Sequence, residues 1–345
     1  MPLLVYNILG PIDLNDFFDC ALSGEHGNAT ICIVVGDDSV ERIKVVFNVK
    51  YKYNNFIKAI GNDHCSIGEV RSILRENPDF AAWVTDCGWT ALHEAARRGK
   101  PNFARMILDT YGSSISLTLG GRVLTARTEC DVHAIDNSGY SALHMAARAG
   151  CHDTCAFLLE RGAFVNANSF NNSTPLHLAA EKGSLRLCAM LLDRGAKLSA
   201  HRDDNASPLH IAIRYGNFDA ASLFIRRGAN VNERTDDSQS SLYLAVHYTY
   251  LNSHCKTPDE IINLFKLLLD HGADPGSLGG PENSSPFRLA AIRDIDYLCE
   301  LFLQYDAAIG DWDPKHSEFS ASVTDVLTVD ANALTHYFRN AVDGD

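Results

Sequence analysis

The sequence lacks most of the patterns that announce chemistry. It has no P-loop, no G-x-G-x-x-G after a strand, no G-x-S-x-G and no H-E-x-x-H. Gly120-Gly121 and Gly279-Gly280-Pro281 read as turns, not as phosphate cradles. No apolar run reaches the ~20 residues of a membrane helix. The opening Met1-Pro2-Leu3-Leu4-Val5-Tyr6-Asn7 carries no basic residue and Asp13 and Asp16 follow, so no secretory signal is read. Positive charge is short as well: 30 Lys and Arg stand against 43 Asp and Glu, a formal net charge of −13. That argues against neutralising a nucleic-acid backbone and against docking on an anionic membrane. It favours a protein partner with a basic segment. The ten cysteines form no framework; Cys155, Cys188 and Cys299 sit in helix-like apolar contexts. Free thiols point to a reducing compartment, cytoplasmic or nuclear.

What the chain does have is a period. Ser141-Ala142-Leu143-His144, Thr174-Pro175-Leu176-His177 and Ser207-Pro208-Leu209-His210 place their leucines 33 residues apart. A fixed period means stacked units rather than one closed core. Each unit repeats one grammar. Ser141, Thr174 or Ser207 caps a first helix, with Pro175 or Pro208 at its first position. Gly150, Gly183 and Gly216 stop that helix. An apolar second helix follows and stops at Gly162, Gly195 or Gly228.

Departures from the period are equally legible. Leu92 of Gly88-Trp89-Thr90-Ala91-Leu92-His93 precedes Leu143 by 51 residues, 18 more than the period. The surplus, near 112–129, alternates apolar and polar residues about Gly120-Gly121 and predicts a β-finger. Leu242 keeps the step from Leu209, although Tyr243 replaces the histidine. Phe287 comes 45 residues later, and the extra 12 residues fall near 249–257. Upstream, the β-branched run Thr30–Val35 and the alternation from Ile43 to Tyr51 predict a β-hairpin. Residues 54–86 read as a degenerate first unit with a capping box at Ser66 and Glu69. Asp294 and Asp306 take glycine positions in the last unit. Residues 311–329 read as loop, and Ala331 to Val342 as a short amphipathic cap helix.

The 33-residue step with Thr-Pro-Leu-His-x-Ala resembles the ankyrin repeat. The resemblance implies an all-α repeat solenoid of helix-turn-helix units with β-hairpins, six to seven in number, and an N-terminal β-hairpin extension. Expected limits are 1–53 for the extension, 54–310 for the repeats and 311–345 for a capping segment. It also implies a non-catalytic, monomeric scaffold or adaptor that needs no cofactor or metal. His93, His144, His177 and His210 then tie backbone between units instead of holding an ion. Cys151-His152-Asp153-Thr154-Cys155 and Cys130-Asp131-Val132-His133 find no second cluster at zinc spacing.

Two sets of surface positions are the candidate contact residues. The ends of the first helices carry Arg97, Arg98, Arg148, Lys182, Arg214, Tyr215, His247 and Tyr248, which the resemblance places on a concave face. The finger tips carry Asp136, Asn171, Asp203, Asp204, Asp236 and Asp237. The resemblance further marks Asn166 and Asn232 as positions for hydroxylation by an oxygen-dependent dioxygenase. The opening at Gly88–Ala96 and the Ser285-Pro286-Phe287 unit resemble ankyrin-repeat and SOCS-box proteins, substrate receptors of cullin-type ubiquitin ligases. No box motif is found between Asp311 and Asp345. A regulatory ankyrin module of a larger enzyme or channel is the remaining alternative.

Overall fold

Capped, proline-started helices of the length this grammar allows cannot bury themselves alone, and they stack. The structure, a computed structural model, describes residues 29–34, 40–45, 48–81, 84–110, 115–119, 122–126, 130–251, 258–280, 284–293 and 295–305. Fourteen helices fall into seven pairs among them. They are α1 (Asn48–Gly61) with α2 (Ile67–Glu76), α3 (Ala91–Arg97) with α4 (Pro101–Asp109), and α5 (Ala142–Ala149) with α6 (His152–Glu160). Next come α7 (Pro175–Lys182) with α8 (Leu185–Asp193), and α9 (Pro208–Arg214) with α10 (Phe218–Arg226). The last are α11 (Ser241–Leu251) with α12 (Pro258–Asp270), and α13 (Pro286–Ile292) with α14 (Asp296–Gln304).

The odd-numbered helices pack on one another in sequence from α1 to α13, and the even-numbered ones do so from α2 to α12. Small residues make the inner row possible. Ala95, Ala96, Ala146, Ala147, Ala179, Ala180, Ala212 and Ala245 are all fully buried. They let neighbouring backbones approach while Leu92, Leu143, Leu176, Leu209 and Leu242 anchor each unit. The fold class is the all-α solenoid that the resemblance implied.

The 18-residue surplus is an antiparallel hairpin, β3 (Ile115–Leu119) with β4 (Arg122–Ala126), paired from Ile115↔Ala126 to Leu119↔Arg122. Because α4 still packs directly on α6, the insertion leaves the stack unbroken. The upstream hairpin is β1 (Ala29–Val34) with β2 (Val40–Val45). Its second strand is shorter than the alternation to Tyr51 suggested, because α1 begins at Asn48. The reason is burial at helical spacing: Tyr53, Phe56 and Ile60 face inward, and Tyr53 and Phe56 meet Phe80 at ring separations of 5.5 and 5.6 Å. The Ser66–Glu69 capping box of α2 is formed in both directions. Part of the 12-residue surplus lengthens α11 to Leu251. Residues 252–257, Asp294, Asp306, the 311–329 loop, the 331–342 helix and the whole 311–345 segment lie outside the described residues.

Candidate functional site

The repeated histidines serve structure: three bond the residue just before the next helix cap, and His210 bonds Glu233, six residues short of that register. His93, His144, His177 and His210 are buried, with Nε2 at 2.9, 2.9, 3.1 and 3.0 Å from the carbonyl oxygens of Tyr140, Ser173, Ala206 and Glu233. Each Nδ1 accepts the backbone N–H of its own cap residue, Thr90, Ser141, Thr174 or Ser207, at 3.1–3.2 Å. One ring therefore starts its own helix and donates to the next unit. Nδ1 must stay unprotonated to accept. Burial holds His144, His177 and His210 down at about 4, below the ordinary 6.5, against the opposing pull of the carbonyls. Among the described residues no three His, Cys, Asp or Glu side chains converge on a common point.

The fingers form a second line of ties. Asn137 N–H donates to Cys87 O, Phe170 to Ser138 O, Asp203 to Asn171 O and Asp236 to Asp204 O, at 3.0–3.3 Å. Adjacent fingers are thus latched tip to tip by single backbone hydrogen bonds. Asn172 Nδ2 adds a bond to Asp203 Oδ1 at 2.7 Å, and Asn205 Nδ2 one to Arg234 O at 2.7 Å.

This register corrects the placement of one expected tip residue. Asp136 is 7% exposed. Its Oδ1 accepts the N–H groups of Ser138 and Tyr140 and its Oδ2 accepts Trp89 Nε1–H at 3.1 Å. Ser169 and Thr235, one and three periods on, close their turns in the same way. The tip residue one place later is Asn137, then Phe170, Asp203 and Asp236. Phe170, 68% exposed, was not among the expected contact residues, although adding one period to Asn137 reaches it. Asn171, half-buried, accepts Ser169 Oγ–H at 2.6 Å. Asp203, Asp236 and Asp237 are exposed and Asp204 is half-buried.

At the helix ends, Arg97, Arg98, Arg148, Lys182, Arg214, Tyr215 and His247 are exposed. Tyr248 is half-buried, with its ring edge-on to Phe218 at 5.2 Å. Arg97 and Arg98 are not free cations. Glu94, buried, takes Arg97 Nη2 at 2.7 Å and Arg98 Nε at 3.0 Å. Burial pushes the Glu94 carboxyl up, and the two guanidinium groups reverse this, holding it below its usual range. Arg97 also lies over the Trp89 ring, 5.6 Å from its centroid. Glu94 stands in the register of Met145, Leu178, Ile211 and Leu244, where an apolar residue packs in every following unit. Arg148 and Lys182 form no ion pair among the described residues.

The two sets meet. A cleft of about 360 Å³ is lined by Asp204, Arg214, Asp236, Asp237, Leu244 and His247, with Thr235 and Gln239. Helix ends and finger tips therefore share one open groove at α9 and α11. Arg214 Nη1 reaches Asp204 Oδ2 across it at 3.2 Å. Burial raises the Asp204 carboxyl, but Arg214 and Arg202 bring it below its normal range. Asn166 and Asn232 lie elsewhere, between units. Asn166 Nδ2 donates to Gly195 O and its Oδ1 accepts Lys197 N–H, both at 2.9 Å; Asn232 Nδ2 donates to Gly272 O at 2.7 Å.

The fold is thus a stack of capped helix pairs, tied by buried histidines and latched through β-fingers. Comparison with protein-family models then names the unit. The model for ankyrin repeats in three copies matches residues 121–202, and the single ankyrin-repeat model matches 87–118 and 204–236. Ankyrin repeats are thus detected within residues 87–236, and ankyrin repeats are generally protein–protein interaction modules. No curated protein matches it. No helix among the described residues is long and apolar enough to cross a membrane.

Proposed function

We propose that this chain is a non-catalytic scaffold or adaptor that binds a protein partner along the concave groove and its finger tips. The cleft shared by Arg214, His247, Asp204, Asp236 and Asp237 carries the reading. Seven of its eight lining residues are polar or charged, whereas small-molecule sites are lined mostly by hydrophobic side chains. It suits side chains of an extended polypeptide, and solenoids bind through surfaces of this kind. The partner contacts are Arg148, Lys182, Arg214, Tyr215 and His247 from the helices and Asp203, Asp236 and Asp237 from the fingers. Arg and Tyr are residue types that dominate interface energetics. The working compartment is the cytoplasm or nucleus, where free thiols persist.

Affinity capture from a lysate tests this. Wild type is compared with the triple variant Arg148→Ala, Arg214→Ala, Tyr215→Ala. Loss of the main captured proteins is the expected result; an unchanged set overturns the groove assignment. Asn166 and Asn232 are further proposed as hydroxylation positions. An added oxygen in the intact mass of native protein, lost in the Asn166→Ala, Asn232→Ala variant, is the expected observation.

A further inference from the structure

The groove differs in charge along its length. At the α3, α5 and α7 ends stand Arg97 and Arg98, Arg148, and Lys182, all exposed. Glu94 offsets one of the first pair, while Arg148 and Lys182 have no ionic partner among the described residues. Arg148 holds the place of Arg214 two units earlier, and Lys182 that of Tyr215 one unit earlier. Arg214 lines the shared cleft, and its register carries Arg148 toward the groove; in the unit between them that register holds the half-buried Glu181, with the exposed Lys182 one place on. At α9 and α11 the balance reverses. Arg214 is bound to Asp204, and Asp236 and Asp237 line the cleft without an ion pair among the described residues. The finger register reads Asp86, Asn137 and Phe170 beside α3, α5 and α7, and Asp203 and Asp236 beside α9 and α11, so the two central fingers of the first half carry no charge there.

From this we infer that the groove takes an extended polypeptide segment with charge of both signs. Its acidic end lies against Arg148 and Lys182, and its basic end against Asp236 and Asp237. The inference rests on the groove being the partner site. Inner helices stacked about 10 Å apart give roughly 40 Å from α3 to α11. An extended chain at about 3.3 Å per residue covers that span with about twelve residues. Complementary charge at both ends fixes the direction in which the segment lies and rejects segments of a single sign. A uniformly basic partner, the simplest expectation from a net charge of −13, would place like charges against Arg148 and Lys182.

Three labelled peptides of about twelve residues on a Gly-Ser background are the probes. One carries a glutamate block at one end and a lysine block at the other; the second carries glutamates only and the third lysines only. Fluorescence anisotropy with the full chain measures each affinity. The mixed peptide is expected to bind about tenfold more tightly than either single-sign peptide. Charge reversal at Arg148→Glu with Lys182→Glu is expected to weaken the mixed peptide about tenfold and to spare the lysine peptide. Asp236→Lys with Asp237→Lys is expected to abolish lysine-peptide binding. All four positions are exposed, and circular dichroism melts confirm that each variant stays folded. A lysine peptide as tight as the mixed one, or a mixed peptide indifferent to reversal of Arg148 and Lys182, overturns the two-signed segment. If neither pair of substitutions alters the binding of any peptide, the groove reading itself fails as well.

Discussion

At the scale of single residues, the four histidines make stability depend on pH in a defined way. Between pH 6.5 and about 4 the unfolded chain protonates His144, His177 and His210 while the folded array holds them neutral. Their contribution is complete above 6.5 and declines as pH falls through that window, by about 1.4 kcal/mol per pH unit for each ring. Urea titrations from pH 7.5 to 5 should show midpoints flat above 6.5 and falling below it. Replacing His177 by Ala removes the tie to Ala206 O and uncaps Thr174; a loss of about 2–3 kcal/mol at pH 7.5 is expected, with a weaker pH dependence below 6.5. Glu94 behaves differently. Glu94→Leu restores the apolar residue of its register and should leave the melting temperature within a few degrees, because Arg97 and Arg98 are exposed and stay solvated once the carboxylate is gone.

Sequence reading reaches some of these residues and not others. The caps, the anchor leucines and the stop glycines repeat with the period, so position alone identifies them. The burial of Glu94 and Asp136 does not follow from type or spacing. It depends on Arg97, Arg98 and Trp89, whose side chains close over those carboxylates only once the helices are stacked. A turn aspartate read alone looks like an exposed tip, and that is how Asp136 is misplaced. Phe170 was within reach of the period and was hidden by reading tips as polar by type.

At the scale of elements, the stop glycines are not equivalent. Gly183 has φ +77°, and an added Cβ would stand 2.3 Å from Asn217 Oδ1. Asn217 Nδ2 donates to Ala180 O and Glu181 O at 2.8 and 2.9 Å, tying α10 to the end of α7. Gly162 has φ +90° with nothing within 4 Å. Gly162→Ala should therefore cost about 1 kcal/mol from backbone alone, while Gly183→Ala should cost about twice that or more because it also displaces Asn217. Thermal denaturation of both variants checks the order. The β3–β4 hairpin is an element of a third kind. Since α4 packs on α6 without it, replacing residues 113–128 with a short Gly-Ser link should leave the helical signal and the melt of the stack unchanged.

At the scale of the whole molecule, each helix pair contacts its neighbours in sequence, so stability is close to a sum of local terms. Leu209→Ala opens a cavity at a fully buried anchor in the middle of the array and should cost about 2–5 kcal/mol. The expected signature is regional. Hydrogen exchange should rise first in α9 and in the flanking α7 and α11, and protection in α3 should persist. Loss of protection in all units together would show that the array unfolds as one body.

The latches between finger tips give the array a mechanical character. Each joins two units by one backbone hydrogen bond, from Cys87 O through to Asp204 O, while the helices behind them are joined by packed area. A line of weak bonds beside a line of broad contacts is the construction of a leaf spring. Pulling on the two ends loads every latch in turn, and the compliance of successive units adds. On the groove reading proposed above, a segment spanning the groove would set the curvature of the spring, and tension applied to the ends would alter its grip on every unit.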